Sequence, residues 1–227
     1  MLYIVPTPIG NLKDITLRAI DVLHSCDGVI CEDTRRTGQL LKHYQITKPL
    51  LVLNDFNENR EIPGLIEKLK ISNLVLVSDA GTPLVSDPGY KLVRECLVQH
   101  IEVDSLPGPT SFVPALTLSG LPPDKFFFLG YLPEKPGKRT EILKKLSQIH
   151  SLQPTTYVLF VAPHKLIKTL TEMQKTFGDI PIVLAHELTK IYQSVEQKNI
   201  SVWLKQFAKQ PPKGEYIMLF HLILKTI

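Results

Sequence analysis

Cysteine is scarce in this chain of 227 residues. The three present, Cys26, Cys31 and Cys96, are an odd number with no C-x-x-C pair. They argue against a disulfide framework and for reduced, mostly buried thiols in a cytoplasmic protein. The seven histidines are scattered without zinc-ligand spacing, so no structural metal is expected. No uninterrupted apolar run approaches the roughly 18 residues of a membrane span, so no membrane partner is expected. Met1–Pro6 lacks a basic n-region, and Pro6 and Pro8 interrupt it too early for a signal peptide. Several ligand-binding signatures are missing as well. A dinucleotide fold opens with G-x-G-x-x-G; here only Gly10 follows the first strand, so a pyrophosphate has no cradle and NAD is disfavoured. The P-loop pattern G-x-x-x-x-G-K-[ST] and the nucleophile elbow G-x-S-x-G are both absent.

What remains is a globular composition, 44% hydrophobic and 21% charged, long enough for one large domain or two small ones. The formal charge of +4 conceals an asymmetry. Residues 1–123 carry 11 Lys+Arg against 14 Asp+Glu, whereas residues 124–227 carry 15 against 8. The second half can therefore sit against an anionic partner.

Along the first half, short apolar runs alternate with amphipathic stretches. Strands are predicted at Leu2–Val5, Val29–Cys31, Leu50–Leu53, Leu74–Val77 and Val103–Leu106, with helices between them, the first capped by Thr16. Continuous apolar runs separated by helices imply parallel strands buried on both faces. Leu121-Pro122-Pro123 reads as a hinge. Beyond it, strands are predicted at Phe126–Leu129, Tyr157–Val161, Ile182–Ala185 and Tyr216–Phe220, and helices at Glu141–Ile149, Leu166–Thr176 and Val202–Ala208. The fold class is α/β, with one domain over 1–120 and a second over 121–227.

The unusual residues collect at strand ends. Pro6–Asn11 follows strand one, Glu32–Thr37 strand two and Asn54–Asn59 strand three. Ser78–Pro83, running on to Ser86-Asp87-Pro88-Gly89, follows strand four, and Pro107–Ser111 follows strand five. Singly, each reads as an ordinary turn or helix cap. Together they lie at the carboxyl edge of a parallel sheet, where such sheets bind ligands, and they point to a polar ligand held largely by backbone groups.

These residues also carry a resemblance. Leu2-Tyr3-Ile4-Val5-Pro6-Thr7-Pro8-Ile9-Gly10-Asn11-Leu12, Glu32-Asp33-Thr34-Arg35 and Leu76-Val77-Ser78-Asp79-Ala80-Gly81-Thr82-Pro83 resemble motifs of the tetrapyrrole methylase superfamily, specifically its members that act on ribosomal RNA. Pro107-Gly108-Pro109, Ser119-Gly120-Leu121-Pro122, Pro163-His164, Glu187-Leu188-Thr189-Lys190 and Lys213-Gly214-Glu215 continue it in order over nearly the whole chain. The resemblance implies a mostly parallel N-terminal sheet and a mixed C-terminal sheet, with S-adenosyl-L-methionine in the cleft between the two domains, in a homodimer. The implied reaction is methylation of the ribose 2′-oxygen of a cytidine in the decoding region of small-subunit (16S) ribosomal RNA, the substrate being free RNA or the assembled subunit. Pro8, Gly10, Asp79, Ala80, Gly81, Thr82, Pro83, Pro107 and Gly108 would then line the cofactor cleft, with Ala162, Ala185 and Gly214 contributing from the second domain. The chain departs from the family pattern at Phe56, where a His is usual, at Val161, where a Glu is common, and at Lys165, which replaces an Arg.

Methyl transfer to a hydroxyl needs alignment and a group to take the proton. Glu32, Asp33, Asp55 and Asp87 are the candidates, with Lys190 as an alternative, and Glu32, Asp33 and Asp87 are taken as the catalytic set. One hypothesis places Glu32 and Asp33 at the substrate end while Asp79 orients the cofactor loop. RNA contacts are expected from Arg35 and Arg36 and from Lys135, Lys138 and Arg139, in a loop leading into a helix with Lys144 and Lys145. Phe126-Phe127-Phe128 alternates wrongly for a stacking platform and reads as a buried strand. The competing readings are a tetrapyrrole-type small-molecule methyltransferase and a non-catalytic RNA-binding protein, with a nucleotide-dependent oxidoreductase more distant.

Overall fold

The computed structural model describes residues 1–222 and divides into two compact units, Met1–Thr110 and Ser111–Ile227. In the first, five strands alternate with helices: β1 (Leu2–Ile4), α1 (Leu17–Ser25), β2 (Gly28–Cys31), α2 (Thr34–His43), β3 (Leu50–Val52), α3 (Glu58–Leu69), β4 (Leu74–Leu76), α4 (Tyr90–Val98) and β5 (Val103–Ser105). All pair in parallel, in the order β3-β2-β4-β1-β5. Alternate residues serve opposite faces. Val29, Cys31, Val75 and Val77 pack with Ala19 and Leu23 of α1 and Leu41 of α2. Ile30, Leu74 and Leu76 pack with Leu65, Ile66 and Leu69 of α3 and Leu92 of α4. These strands therefore read as unbroken apolar runs, because neither face meets water. The Thr16 hydroxyl accepts from the Ala19 N–H at 3.1 Å and starts α1, as its sequence position suggests. Cys26, Cys31 and Cys96 are all buried and unpaired.

The second unit contains α5 (Phe112–Leu118), β6 (Phe126–Tyr131), α6 (Pro136–Leu152), β7 (Thr156–Val161), α7 (Pro163–Phe177), β8 (Pro181–His186), β9 (Ser194–Asn199), α8 (Ile200–Lys209) and β10 (Tyr216–His221). Its sheet, ordered β6-β7-β10-β8-β9, is mixed: β6 and β7 are parallel, and the remaining pairs are antiparallel. Tyr157, Leu159, Val161, Leu184, Met218 and Phe220 face a core filled by Leu143 and Leu146 of α6, Leu166 and Leu170 of α7, and Trp203 and Phe207 of α8. The opposite face carries α5, which crosses β7 and β10.

Three details differ from the sequence reading. Strand β9, Ser-Val-Glu-Gln-Lys-Asn, is an edge strand whose polar composition gives no apolar signal. Helix α6 begins at Pro136, because proline's fixed φ suits the first helical position, so the expected loop through Arg139 is already helical. Strand β6 also lies at a sheet edge, and Phe126 and Phe127 are exposed there rather than buried. Only Phe128 turns inward, stacked 4.9 Å from Phe112 and edge-on to Phe160 at 5.0 Å.

Candidate active site

The strand order of the first unit fixes where a ligand can enter. Strands β1 and β4 are neighbours, with Leu2 opposite Leu74 and Ile4 opposite Leu76. The chain leaves β1 for α1 on one face of the sheet and leaves β4 for α4 on the other. The two departing loops must part, which opens a crevice at the carboxyl edge. They are pinned to each other at its base. Thr7 and Gly81 exchange backbone hydrogen bonds of 2.9 and 2.8 Å, and the Thr7 hydroxyl donates to the Ser78 carbonyl at 3.2 Å. The Thr82 hydroxyl donates to the Pro109 carbonyl at 2.9 Å and ties in the loop after β5.

Close approach explains the glycine in that last loop. A Cβ on Gly108 would lie 2.9 Å from the Pro6 Cβ, nearer than a side chain tolerates. Pro8, Gly10, Asp79, Ala80, Gly81, Thr82, Pro83, Pro107 and Gly108 thus all fall on three loops joined at one edge, although Gly81 and Pro83 are buried within the turn. Leu84 and Ser86, at φ of 70° and 69°, hold left-handed backbone in the long β4 loop. Such strain costs about 1–3 kcal/mol per residue and accompanies loops shaped for a ligand.

Carboxylates concentrate at the same edge. Burial and the nearby Asp79 and Asp55 raise the Glu32 carboxyl above its ordinary value. Burial, reinforced by repulsion from Glu32, Asp79 and Asp55, pushes Asp87 up to about 6 against the opposing hydrogen bond from Ser78. Asp33 behaves oppositely. It caps α2, accepting from the Arg35 N–H at 2.8 Å and from the Arg35 guanidinium at 2.7 and 3.1 Å, and these bonds hold it down to about 2. Arg36 lies 3.3 Å from Asp79 Oδ2, while Asp79 Oδ1 is buried with no hydrogen-bond partner among the described residues. The edge therefore suits a ligand that brings hydrogen-bond donors and positive charge.

The second unit has its own loop edge, where β7 and β8 end and β10 begins. Ala162 caps α7 there, Ala185 sits in β8 opposite Ile217, and Gly214 precedes β10. Gly214 has a φ of +78°, and a Cβ on it would meet Glu187 Oε1 at 2.7 Å and His186 Nε2 at 2.8 Å. Glu187 Oε1 also accepts from the Glu215 N–H at 2.8 Å and from the Lys190 ammonium at 3.0 Å. A further bond of 2.9 Å joins Lys190 to Glu215. Burial opposes the charge on Lys190, but the bonds to Glu215 and Glu187 outweigh it and raise its proton affinity. An ammonium held in this way is a poor base.

The expected RNA contacts separate. Lys135 and Lys138 are exposed at the start of α6, as are Arg35 and Arg36 on α2. Arg139 is a correction. It is only 3% exposed, forms a two-point ion pair with Glu172 of α7 and donates to the Pro133 carbonyl at 2.9 Å, so it braces two helices and offers nothing to RNA. Lys165 pairs with Glu134. Sequence reasoning missed the Arg36–Asp79 pair, because nothing local shows that α2 reaches the β4 loop. Among the described residues no group of three or more His, Cys, Asp or Glu is placed to hold a metal, and no helix is long and apolar enough to cross a membrane.

Comparison with known proteins gives concordant results. The family described as Tetrapyrrole (Corrin/Porphyrin) Methylases matches residues 1–202. A Vibrio cholerae protein named Ribosomal RNA small subunit methyltransferase I is 42% identical over 225 residues, covering 97% of this chain and 77% of that protein. A Thermotoga maritima protein of the same name is 42% identical over 215 residues, covering 94% of this chain and 95% of its own length. A crystal structure of diphthine synthase shares the fold, with a TM-score of 0.74 at 15% identity, covering 97% of this chain and 89% of that one.

Proposed function

The chain belongs to the tetrapyrrole methylase family, and from that premise we propose that it transfers a methyl group from S-adenosylmethionine to small-subunit (16S) ribosomal RNA, at the ribose 2′-oxygen of a cytidine in the decoding region. The observation that carries this reading is the buried Oδ1 of Asp79, without a partner among the described residues and close to the carboxylates Glu32, Asp55 and Asp87. S-adenosylmethionine fits such a place, with an ammonium group, ribose hydroxyls and a sulfonium to offer. When bound, it supplies an electrophilic methyl group.

The protein's own residues do the rest. The loops after β1, β4 and β5 present backbone groups to the cofactor, with Pro8, Gly10, Ala80, Thr82, Pro107 and Gly108 as contacts, while Asp79 accepts hydrogen bonds. Ala162, Ala185 and Gly214 are the candidate contacts of the second unit. Asp87 or Glu32 would take the 2′-hydroxyl proton as the oxygen displaces the sulfonium's methyl carbon, the carbon–sulfur electron pair leaving with sulfur as a neutral thioether. Asp87, at about 6, is matched to that role near neutral pH. Asp33, capping a helix at about 2, is too weak a base, and Lys190 holds its proton between two carboxylates. Lys135, Lys138, Arg35 and Arg36 are the candidate phosphate contacts. The proposal includes a cytoplasmic homodimer.

The test is methyl transfer from labelled cofactor onto naked small-subunit RNA, assembled small subunits and a tetrapyrrole, side by side. Label on a cytidine 2′-oxygen supports the reading. Label on the tetrapyrrole alone assigns a small-molecule substrate, and RNA binding with no cofactor binding by calorimetry assigns a non-catalytic role. Sedimentation decides the dimer.

A further inference from the structure

The loop after β3 carries an aromatic ring that no described residue covers. Phe56 is 101% exposed, although burying a phenylalanine is worth about 1.5–3 kcal/mol. Its backbone is held firmly in place. Asn54 Oδ1 accepts from the N–H groups of Phe56 and Asn57, both at 3.1 Å. Asn57 Oδ1 accepts from the Asn54 N–H at 2.8 Å, and its amide donates to the Val52 carbonyl at 3.1 Å. The turn is thus fixed to the end of its own strand and presents the ring outward beside Asp55.

A second exposed ring lies on the segment that Glu58 ties to this turn. Glu58, two residues after Phe56, is buried at the start of α3; its Oε1 accepts from the Gly89 N–H at 3.1 Å and its Oε2 pairs with Lys91 at 3.1 Å. Between those two partners lies Tyr90, 65% exposed. The other loops of this edge, Pro6–Asn11, Glu32–Thr37, Ser78–Gly89 and Pro107–Ser111, contain no aromatic residue. Arg60 and Lys91 flank these rings in sequence, paired with Glu61 and Glu58, and aromatic rings interleaved with basic residues form the pattern that receives single-stranded nucleic acid.

The charge distribution selects which part of the nucleotide meets the ring. A phosphate approaching Asp55, Glu32 and Asp87 is repelled, whereas a base is uncharged and every base has a π-face. We propose that Phe56 is the platform on which a base of the RNA substrate stacks, so that the adjoining ribose is presented to the carboxylate edge. This rests on the RNA methyltransferase reading.

Because the ring is fully exposed among the described residues, its removal is expected to leave the fold intact. Phe56→Ala is expected to raise the KM for small-subunit RNA about tenfold or more, with unchanged cofactor affinity and melting temperature, and Phe56→Trp to restore it. The new indole of Phe56→Trp should be quenched by a short single-stranded oligoribonucleotide, measured against the wild-type signal of Trp203. An unchanged KM in Phe56→Ala, or an unquenched indole, overturns the proposal, as does a change of sedimentation in Phe56→Ala, which makes the ring a contact between protein copies. Failure of the wild-type enzyme to methylate RNA at all is a separate result and rejects the functional reading itself.

Discussion

Arg36 pairs with one oxygen of Asp79, and the other has no partner among the described residues. Nη1 lies 3.3 Å from Oδ2, while Oδ1 is buried with nothing to bond among the described residues. The pair is partly exposed, so it contributes little to stability, and its consequence is orientation: the guanidinium draws Oδ2 toward α2 and leaves Oδ1 turned inward. A carboxylate bond to a ligand donor is worth about 1.5–3 kcal/mol. Asp79→Asn should therefore weaken S-adenosylmethionine binding by about tenfold or more in calorimetry, with little change in melting temperature. Equal affinity in the variant would remove Asp79 from the cofactor site.

Asp87 gives the site a pH signature. A base must be unprotonated to act, so with its carboxyl at about 6, methyl transfer should rise with pH through that value and level off above it. Single-turnover rates between pH 5 and 8 measure this directly. Stability runs the other way. A native value above the unfolded one of about 4 means the folded protein holds the proton more tightly, so the contribution is full below about pH 4 and is lost as pH rises through 6. Asp87→Asn should abolish most transfer yet stabilise the protein at pH 8 by about 1 kcal/mol, the full shift being screened by partial exposure. A variant that loses stability at pH 8 contradicts this account.

Much of this arrangement is legible in the sequence. Val29-Ile30-Cys31 and Leu74-Val75-Leu76 announce parallel strands because both faces are buried, and the Pro-, Gly- and Asp-rich segments announce a binding edge because each follows such a run. Strand order is not legible, since it depends on pairings between distant segments. Only the order β3-β2-β4-β1-β5 shows that the loops after β1 and β4 border the crevice. Asp33 is readable as a cap, but the partner its carboxylate takes is not: the Arg35 guanidinium, two residues on, folds back upon it and removes it from the list of bases. Arg139 misleads for a similar reason, because its partner Glu172 lies on another helix.

Gly108 tests how rigid the loop cluster is. A Cβ there meets the Pro6 ring atoms at 2.9 and 3.1 Å, and a proline ring cannot swing aside. Gly108→Ala should displace the loop after β1, costing about 1–3 kcal/mol in denaturant unfolding and weakening cofactor binding together. Gly137→Ala, with nothing within 4 Å of the added carbon, is the control and should change neither. If Gly108→Ala binds cofactor normally, the closeness of these two loops has no bearing on the site.

Lys138 and Arg139 are adjacent in sequence and opposite in consequence. Lys138 is exposed on the first turn of α6, while Arg139 turns inward to Glu172 and is almost wholly shielded from water. Removing one partner of a buried ion pair strands the other, at a cost of about 3–5 kcal/mol, so Arg139→Ala should be strongly destabilised in urea unfolding. Lys138→Ala should melt like the wild type. In RNA binding the ranking reverses: without the Lys138 ammonium to neutralise a phosphate, the dependence of log affinity on log salt falls by about 0.7 for single-stranded RNA. Arg139→Met, which keeps the bulk of the buried stem, isolates the charge; paired with Glu172→Met it should recover most of the lost stability and leave the salt slope unchanged. A reduced slope in that double variant would return Arg139 to the RNA surface.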